Sequence, residues 1–311
     1  PMISLAPDAY HIPVLAAEVA ALLTGARTIL DGTLGGGGHS ALLVAQGAHV
    51  TAVDRDPQAI AEARVHLAEQ ERAGRFRPFL GNFAALDDIA ELHGERFDGV
   101  LLDLGVSSHQ FDDESRGFSF REGAPLDMRM GTDAQQSAAE LLNEAPDQAL
   151  MQLFREYADE RRAPRLAREI VKRRATVPFA TSDDLVKAIR GALGPRSGPG
   201  DFARIFQAIR IEVNDELGAL ARALPALRDR LTPGGTFAVI SYHSGEDRVV
   251  KNAFRDWGNP CTCPPRQPLC VCGAVALGVT VHRKAVTAGE RELASNPRAR
   301  SARLRAWRRA A

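Results

Sequence analysis

At 311 residues the chain is long enough for one large domain carrying an insertion, or for two modest domains with cores of their own. Hydrophobic residues make up 45% and charged residues 25%, and no apolar run approaches the roughly 20 residues that span a bilayer, which argues against a membrane role. Lys+Arg and Asp+Glu both number 39, so the net charge is zero and any site for a polyanion must be local. The first residues show no basic segment followed by an apolar core, so the expected location is the cytoplasm.

The first hundred residues alternate short β-rich runs with helical patterns, the layout of an α/β domain with a parallel sheet. Thr28 to Asp31 reads as a strand, followed by a glycine loop and a helix over Ser40 to Ala45. His49 to Asp54 is a second strand, and a helix begun by Pro57 follows it through Ala61 to Glu69. A third strand is expected over Arg77 to Phe83. The fourth, Phe97 to Asp103, is a nearly continuous apolar run of the kind buried on both faces.

After Gln110 the pattern changes to loop sequence and then helices. Leu150, Leu153, Phe154 and Tyr157 share one helical face, and Asp183 to Leu193 forms another amphipathic helix capped by Thr181 or Ser182. Seven basic residues between Arg161 and Arg174 read either as a site for a polyanion or as a solvated face paired with Glu160 and Glu169. The α/β pattern resumes with a helix from about Phe206 to Leu231, a turn at Thr232 to Gly235 and a strand over Thr236 to Ser241. The expected domains are therefore residues 1–110 with 206–311, interrupted by a helical insertion over 111–205.

Gly35 to Gly38 follow a strand and precede a helix, where the absence of Cβ atoms lets backbone approach a ligand closely. The loop is not a strict G-x-G-x-x-G, because Ser40 holds the third glycine position. Asp54 ends the second strand about 20 residues on, where a carboxylate accepts hydrogen bonds from ribose hydroxyls. That placement suits NAD and S-adenosylmethionine equally. Asp103 ends the fourth strand near Asp31 and Asp54, and three acids around one crevice favour a cationic sulfonium over a pyrophosphate. Asp103 is also the candidate acceptor for an N–H of an attacking amine, and hence the candidate catalytic residue.

Asp31-Gly-Thr-Leu-Gly-Gly-Gly-Gly-His39-Ser40, Asp54-Arg55-Asp56-Pro57, Leu101-Leu102-Asp103-Leu104-Gly105-Val106-Ser107-Ser108 and Arg116-Gly117-Phe118-Ser119-Phe120 together resemble the 16S ribosomal RNA cytosine-N4 methyltransferases, the MraW-like small-subunit methyltransferase H family. His11 to Leu15, Pro125 to Met130, Phe206 to Ile211, Ser241 to Ser244 and Asn296 to Ser301 extend the resemblance over nearly the whole chain. It implies a class I (Rossmann-like) methyltransferase sheet with an inserted helical domain that recognises the substrate. It also implies S-adenosylmethionine as cofactor and methyl transfer to the N4 amine of cytosine 1402 in the decoding centre of 16S rRNA, free or in the small subunit. By motif position it places Gly36, Gly37, Gly38, His39, Asp54, Phe83, Asp103 and Gln110 at the cofactor. Whether the chain forms a homodimer is left open.

Two departures stand out. The usual acid-Pro-Pro-aromatic signature of amino-methyltransferases is replaced by Asp103-Leu104-Gly105-Val106, so another ring must hold the target base; Phe118, Phe120 and Tyr242 are the candidates. Gly245 stands where an apolar residue is expected, which predicts looser local packing. Outside these motifs, Cys261-x-Cys263 and Cys270-x-Cys272 cluster all four cysteines, and zinc, reduced thiols or a disulfide would each explain them, so no metal ligand is assigned. Arginines from Arg298 to Arg309 are expected to contact RNA phosphate.

Overall fold

The computed structural model describes residues 13–107, 110–111, 113–264, 267, 269 and 271–311. His11, Ile12, Ser108 and Cys270, named above, lie outside that set. Two compact units divide the chain: residues 106–216 form one, and the segments before and after them form the other. The expected borders, 111 and 205, fall inside the first of these.

The discontinuous unit is a seven-stranded sheet. In chain order its strands are β1 (Thr28–Asp31), β2 (His49–Asp54), β3 (Phe76–Leu80), β4 (Phe97–Asp103), β5 (Leu231–Ser241), β6 (Gly278–Thr280) and β7 (Arg303–Arg309). They lie side by side as β3-β2-β1-β4-β5-β7-β6. The first five are parallel, and β7 runs antiparallel to both its neighbours. Alternation along the strands divides their apolar side chains between two cores. Ile29 and Leu101 enter one with Leu43 and Ala63, while Leu30, Val100 and Leu102 enter the other with Leu220 and Phe254. The first core is contributed by α1 (Ala16–Leu22), α2 (Gly38–Ala45) and α3 (Pro57–His66), and α4 (Ala68–Arg72) continues the chain to β3. Burial on both faces explains the unbroken apolar run of β4.

Three local expectations change. β3 ends at Leu80, and Phe83 opens a short 3-10 segment whose start is capped by Asn82 accepting the Ala84 N–H at 2.9 Å. The turn at 232–235 belongs to β5 as a bulge: Phe97 pairs with Leu231 and Gly99 with Thr236, so β5 carries the extra residues. The basic C-terminal stretch is largely ordered structure, with β7 as an interior strand.

The second unit packs α5 (Ala138–Glu144), α6 (Asp147–Ala158), α7 (Ala163–Arg174), α8 (Ser182–Leu193) and α9 (Pro199–Val213) around a core that includes Leu150, Phe154, Leu166, Ile170, Ile189 and Ile209. Thr181 and Asp184 form the capping box that starts α8. The helix expected over 206–231 is two helices, because α9 stops at Val213 and α10 (Glu216–Asp229) begins beyond Asp215, which adopts a left-handed φ of 47°. Asn214 spends its amide on the preceding loop, accepting the Met130 N–H and donating to the Met128 carbonyl, each at 2.8 Å. The basic run is mostly structural. Arg162 donates to the Leu193 carbonyl at the end of α8, Arg174 to those of Leu142 and Ala145 at the end of α5, and Arg173 pairs with Glu169. Glu160, expected to pair with this run, accepts the Arg162 backbone N–H at 2.7 Å and pairs its charge with Arg204 at 2.6 Å.

β7 is fixed by Asp247 of α11 (Ser244–Gly258), which accepts from Arg305 at 2.7 Å and Arg303 at 3.3 Å. Burial would raise the Asp247 pKa, but the hydrogen bond and charge of Arg305, aided by Arg303, outweigh it and hold the carboxyl below its ordinary value. Such a pair stabilises the fold fully above the unfolded carboxylate pKa and fades as the pH falls through the lower folded one. Asp247→Ala is expected to cost roughly 2–4 kcal/mol in urea unfolding at neutral pH, because Arg305 is left nearly buried without its anion. A loss below about 0.5 kcal/mol, ordinary for a surface change, would show that backbone pairing alone holds the strand.

Candidate active site

The carboxyl ends of β1, β2 and β4 share one sheet edge. Asp31 pairs in register with Ala52 of β2 and Leu101 of β4, so Asp54 and Asp103 each project two residues beyond it. Ligands bind at this edge in parallel α/β sheets.

The glycine loop crosses the edge between β1 and α2. Gly35 and Gly37 have φ of 50° and 79°, and Gly37 is the residue before α2, which begins with Gly38 and His39. Gly36 lies between them in the same loop. A Cβ at Gly32 would come within 2.6 Å of Leu102 and 3.1 Å of Phe83, so glycine there lets Phe83 sit against the loop. Pro13 lies 3.4 Å from where a Cβ on Gly38 would be. Leu15, two residues after Pro13 and at φ 54°, donates its N–H to Glu292 at 2.7 Å.

The three acids do not do the same job. Asp31 is 1% exposed, with one oxygen accepting the Thr33 N–H at 3.1 Å and the other the Ser40 hydroxyl at 2.8 Å. Burial raises its pKa, and the nearby His39, Ser40 and Thr33 each offset part of that rise. Asp31 is therefore a lock on the loop, and it does not stand open to a ligand as the sequence suggested. Ser40, which spoils the dinucleotide pattern, is the residue that makes this lock.

Asp54 is half-buried and accepts the Gly35 N–H at 2.8 Å and the Asp56 N–H at 2.9 Å. Each carboxylate oxygen keeps a second acceptor position for a hydroxyl. Burial pushes its pKa up to about 6, against the two backbone hydrogen bonds that lower it. Asp103 is also half-buried, and its N–H donates to the Thr33 hydroxyl at 2.6 Å. One carboxylate oxygen accepts the Tyr242 hydroxyl at 2.8 Å. The other lies 3.5 Å from His39 Nε2, close enough for an ion pair if the ring is protonated but without hydrogen-bond alignment. Both ring nitrogens of His39 are buried without a hydrogen-bond partner among the described residues. Burial, followed by the Asp103 charge, drives the Tyr242 pKa far above its ordinary value, so this phenol remains a donor.

Tyr242 was foreseen as a ring and Asp103 as an acid; their hydrogen bond and the part played by Thr33 were not. Gly105, at φ 93°, would place a Cβ 3.4 Å from the Tyr242 ring. The packing around Gly245 is tight, contrary to expectation: a Cβ there would fall 3.0 Å from His243 and 3.3 Å from Leu217. His243 and Glu246 form the capping box of α11.

Gln110 belongs to the second unit. Its side chain accepts the Ser107 N–H at 3.1 Å and donates to the Met130 carbonyl at 3.3 Å. Of the other candidate rings, Phe118 is packed in that unit's core, whereas Phe120 is 39% exposed and meets Phe202 and Phe206 edge-on. In the C-terminal stretch, Arg305 and Arg309 are committed inward, Arg309 to the Leu231 carbonyl at 2.6 Å, which removes them from the expected phosphate contacts. Arg298 and Arg300 remain exposed.

The strand order, with antiparallel β7 slotted between β5 and β6, and the acid-ended strands around a glycine loop define the class I, Rossmann-like methyltransferase fold. A model of the MraW methylase family matches residues 8–310, and the chain belongs to that family. It is 65% identical over 299 residues to the ribosomal RNA small subunit methyltransferase H of Gemmatimonas aurantiaca, covering 96% of this chain and 95% of that protein. The protein of the same name from Heliobacterium mobile is 46% identical over 306 residues, covering 95% and 97%. An rRNA methylase structure from Streptococcus thermophilus aligns with 95% of this chain and 94% of its own at 11% identity and a TM-score of 0.41, too low to inform the assignment.

Ser40→Ala removes the side-chain donor that Asp31 receives from the first turn of α2. The expected cost is roughly 1–3 kcal/mol of unfolding free energy, that of a buried acceptor left unmade. Because the Asp31 pKa is already raised, the deficit should be largest at alkaline pH, where the carboxylate is ionised, and should shrink on acidification. Equal deficits at both pH values, or none, would refute the lock.

Proposed function

We propose that this protein transfers a methyl group from S-adenosylmethionine to the N4 amine of cytosine 1402 in the decoding centre of 16S rRNA. The observation that carries the reading is the pairing of Asp103 with Tyr242 beside a glycine loop locked by Asp31, in a chain matched by a methylase family over residues 8–310.

The site's residues fit the cofactor. Asp54 suits the ribose hydroxyls, Phe83 the adenine, and Gly36, Gly37 and Gly38 allow close backbone approach at the start of α2, whose N–H groups favour a carboxylate. Buried His39, with both ring nitrogens unpaired among the described residues, has capacity for a further polar contact, and Gln110 is proposed as a cofactor contact by its motif position. When bound, the cofactor supplies an electrophilic methyl on a sulfonium, so the chain's task is positioning. Tyr242 and the Thr33 hydroxyl fix Asp103 from both its side chain and its backbone. The oxygen of Asp103 facing His39 is proposed to accept an N–H of the cytosine amine, directing the nitrogen lone pair toward the methyl. The helical unit is proposed to recognise the RNA, and the cytoplasm, where small subunits mature, is the corresponding location.

Mass analysis of nuclease digests tests the assignment directly. Small subunits treated with enzyme and labelled cofactor should carry label on the N4 of that single cytosine. Label on another nucleotide would overturn the position, and label on no RNA would overturn the function. Asp103→Asn should lower kcat by about 100-fold or more, and Tyr242→Phe by about tenfold, with cofactor affinity little changed for Tyr242→Phe.

Asp54→Asn should weaken cofactor binding by about tenfold, the equivalent of one charge-assisted hydrogen bond. In the unaltered enzyme, affinity should fall as the pH drops through about 6, where Asp54 protonates. The ligand-free fold runs the other way and gains stability over that descent, because a raised carboxyl pKa means the buried charge costs free energy above it. Calorimetric titration across this range should show the pH step in the parent and a flat profile in Asp54→Asn; a step of equal size in both would assign it elsewhere.

A further inference from the structure

Residues 259–277 connect α11 to β6, and the ends of this connection meet, with the Leu277 N–H donating to the Trp257 carbonyl at 2.9 Å. Among its described residues there is no helix or strand. Its apolar side chains do not form a core either, since Leu269, Val271 and Val275 are 75–78% exposed. A connection of this length whose described residues have neither secondary structure nor a buried apolar core needs a different source of order, and small coreless segments obtain it from disulfides or metals.

The thiols of Cys261, Cys263 and Cys272 supply a candidate. Their three sulfur atoms all lie within 4.8 Å of one another, and those of Cys261 and Cys272 are 3.7 Å apart. Tetrahedral zinc with Zn–S bonds of about 2.3 Å sets neighbouring sulfurs about 3.8 Å apart. The 3.7 Å between Cys261 and Cys272 is well beyond the roughly 2.05 Å of a disulfide bond, whereas one ion between the three sulfurs engages all of them. The Val271 N–H points to Cys263 Sγ at 3.4 Å, a donor suited to a thiolate held on a metal. Among the described residues no carboxylate belongs to the group, which argues for a soft ion over magnesium or calcium.

We propose that Cys261, Cys263 and Cys272 bind one zinc ion that staples the 259–277 connection. Binding replaces three S–H bonds by three Zn–S bonds and releases three protons to solvent, with no change of oxidation state. None of the three thiols belongs to the glycine loop or its acids, so the inference does not depend on the proposed methyl transfer.

The test uses the full chain and zinc alone. Protein purified without chelator should hold one zinc per chain by elemental analysis, and cobalt(II) in its place should give a thiolate-to-metal charge-transfer band in the near ultraviolet. Cys261→Ser, Cys263→Ser and Cys272→Ser should each weaken zinc binding by more than the roughly 10- to 100-fold that outer-shell changes cost metal sites. The combined triple variant should lose both the metal and the cobalt band while keeping the far-ultraviolet circular dichroism of the parent. Zinc retained by a folded triple variant, no zinc bound by the parent at micromolar free metal, or a cobalt spectrum without thiolate bands would each overturn the proposal. Should the triple variant fail to fold, the parent's cobalt spectrum and stoichiometry still decide it.

Discussion

The parallel register of β1 against β2 and β4 is the constraint on which the site depends. With Asp31 opposite Ala52 and Leu101, the following two residues of β2 and β4 overhang the end of β1 by one step of pleat. Asp54 and Asp103 therefore flank the glycine loop where it leaves the sheet. A slip of one residue in either neighbour would turn the acid to the opposite face and place an apolar side chain at the edge. The two cores prevent that slip, because Leu101 and its neighbours Val100 and Leu102 are buried on opposite sides of the sheet. Packing within the sheet thus sets the positions of the acids proposed for the site.

The edge carries buried charge, and the surroundings are built to tolerate it. Asp31 alone would be costly at 1% exposure; the Ser40 hydroxyl and Thr33 N–H satisfy its oxygens, and in return the carboxylate ties the two ends of the glycine loop together. Thr33 acts twice, since its hydroxyl also receives the Asp103 N–H. The loop, its lock and the proposed acceptor for the amine form one connected hydrogen-bonded unit, in which a flexible glycine segment is given a single arrangement before any ligand arrives. Such preorganisation is what positioning chemistry requires.

Much of this was legible in the sequence, and the failures have physical causes. The strand ends Asp31, Asp54 and Asp103, the glycine loop and the helical insertion follow from periodicity and loop position, which are local signals. The Asp31 lock was not readable because Ser40 looks like a defect when judged against a dinucleotide motif; its meaning depends on a contact across nine residues. β7 was hidden by its arginines. Arg-Leu-Arg-Ala-Trp-Arg-Arg has the alternation of a strand, with Leu304 and Ala306 buried, but six arginines between Arg298 and Arg309 suggest a solvated polyanion contact. Only the partner Asp247, more than fifty residues away, reveals that Arg303 and Arg305 are spent on the fold. The break at Asn214 and Asp215 was equally invisible, since the residues that claim the Asn214 amide lie over eighty positions upstream.

The missing aromatic after Asp103 finds its counterpart in the same long-range logic. In place of Pro-Pro-aromatic the chain has Leu104-Gly105-Val106, and the absence of a Cβ on Gly105, with its left-handed backbone, leaves room for the ring of Tyr242 from the end of β5. The ring arrives with its hydroxyl on Asp103, so one residue supplies both an aromatic face near the acid and the hydrogen bond that orients the acid. Removing only the hydroxyl separates these duties: the ring and its packing remain, and any loss of turnover in Tyr242→Phe then measures the orientation of Asp103 alone. Replacing Gly105 by alanine acts on the other duty. It strains a backbone held at φ 93° and crowds the ring, while leaving every hydrogen-bonding group of the pair in place.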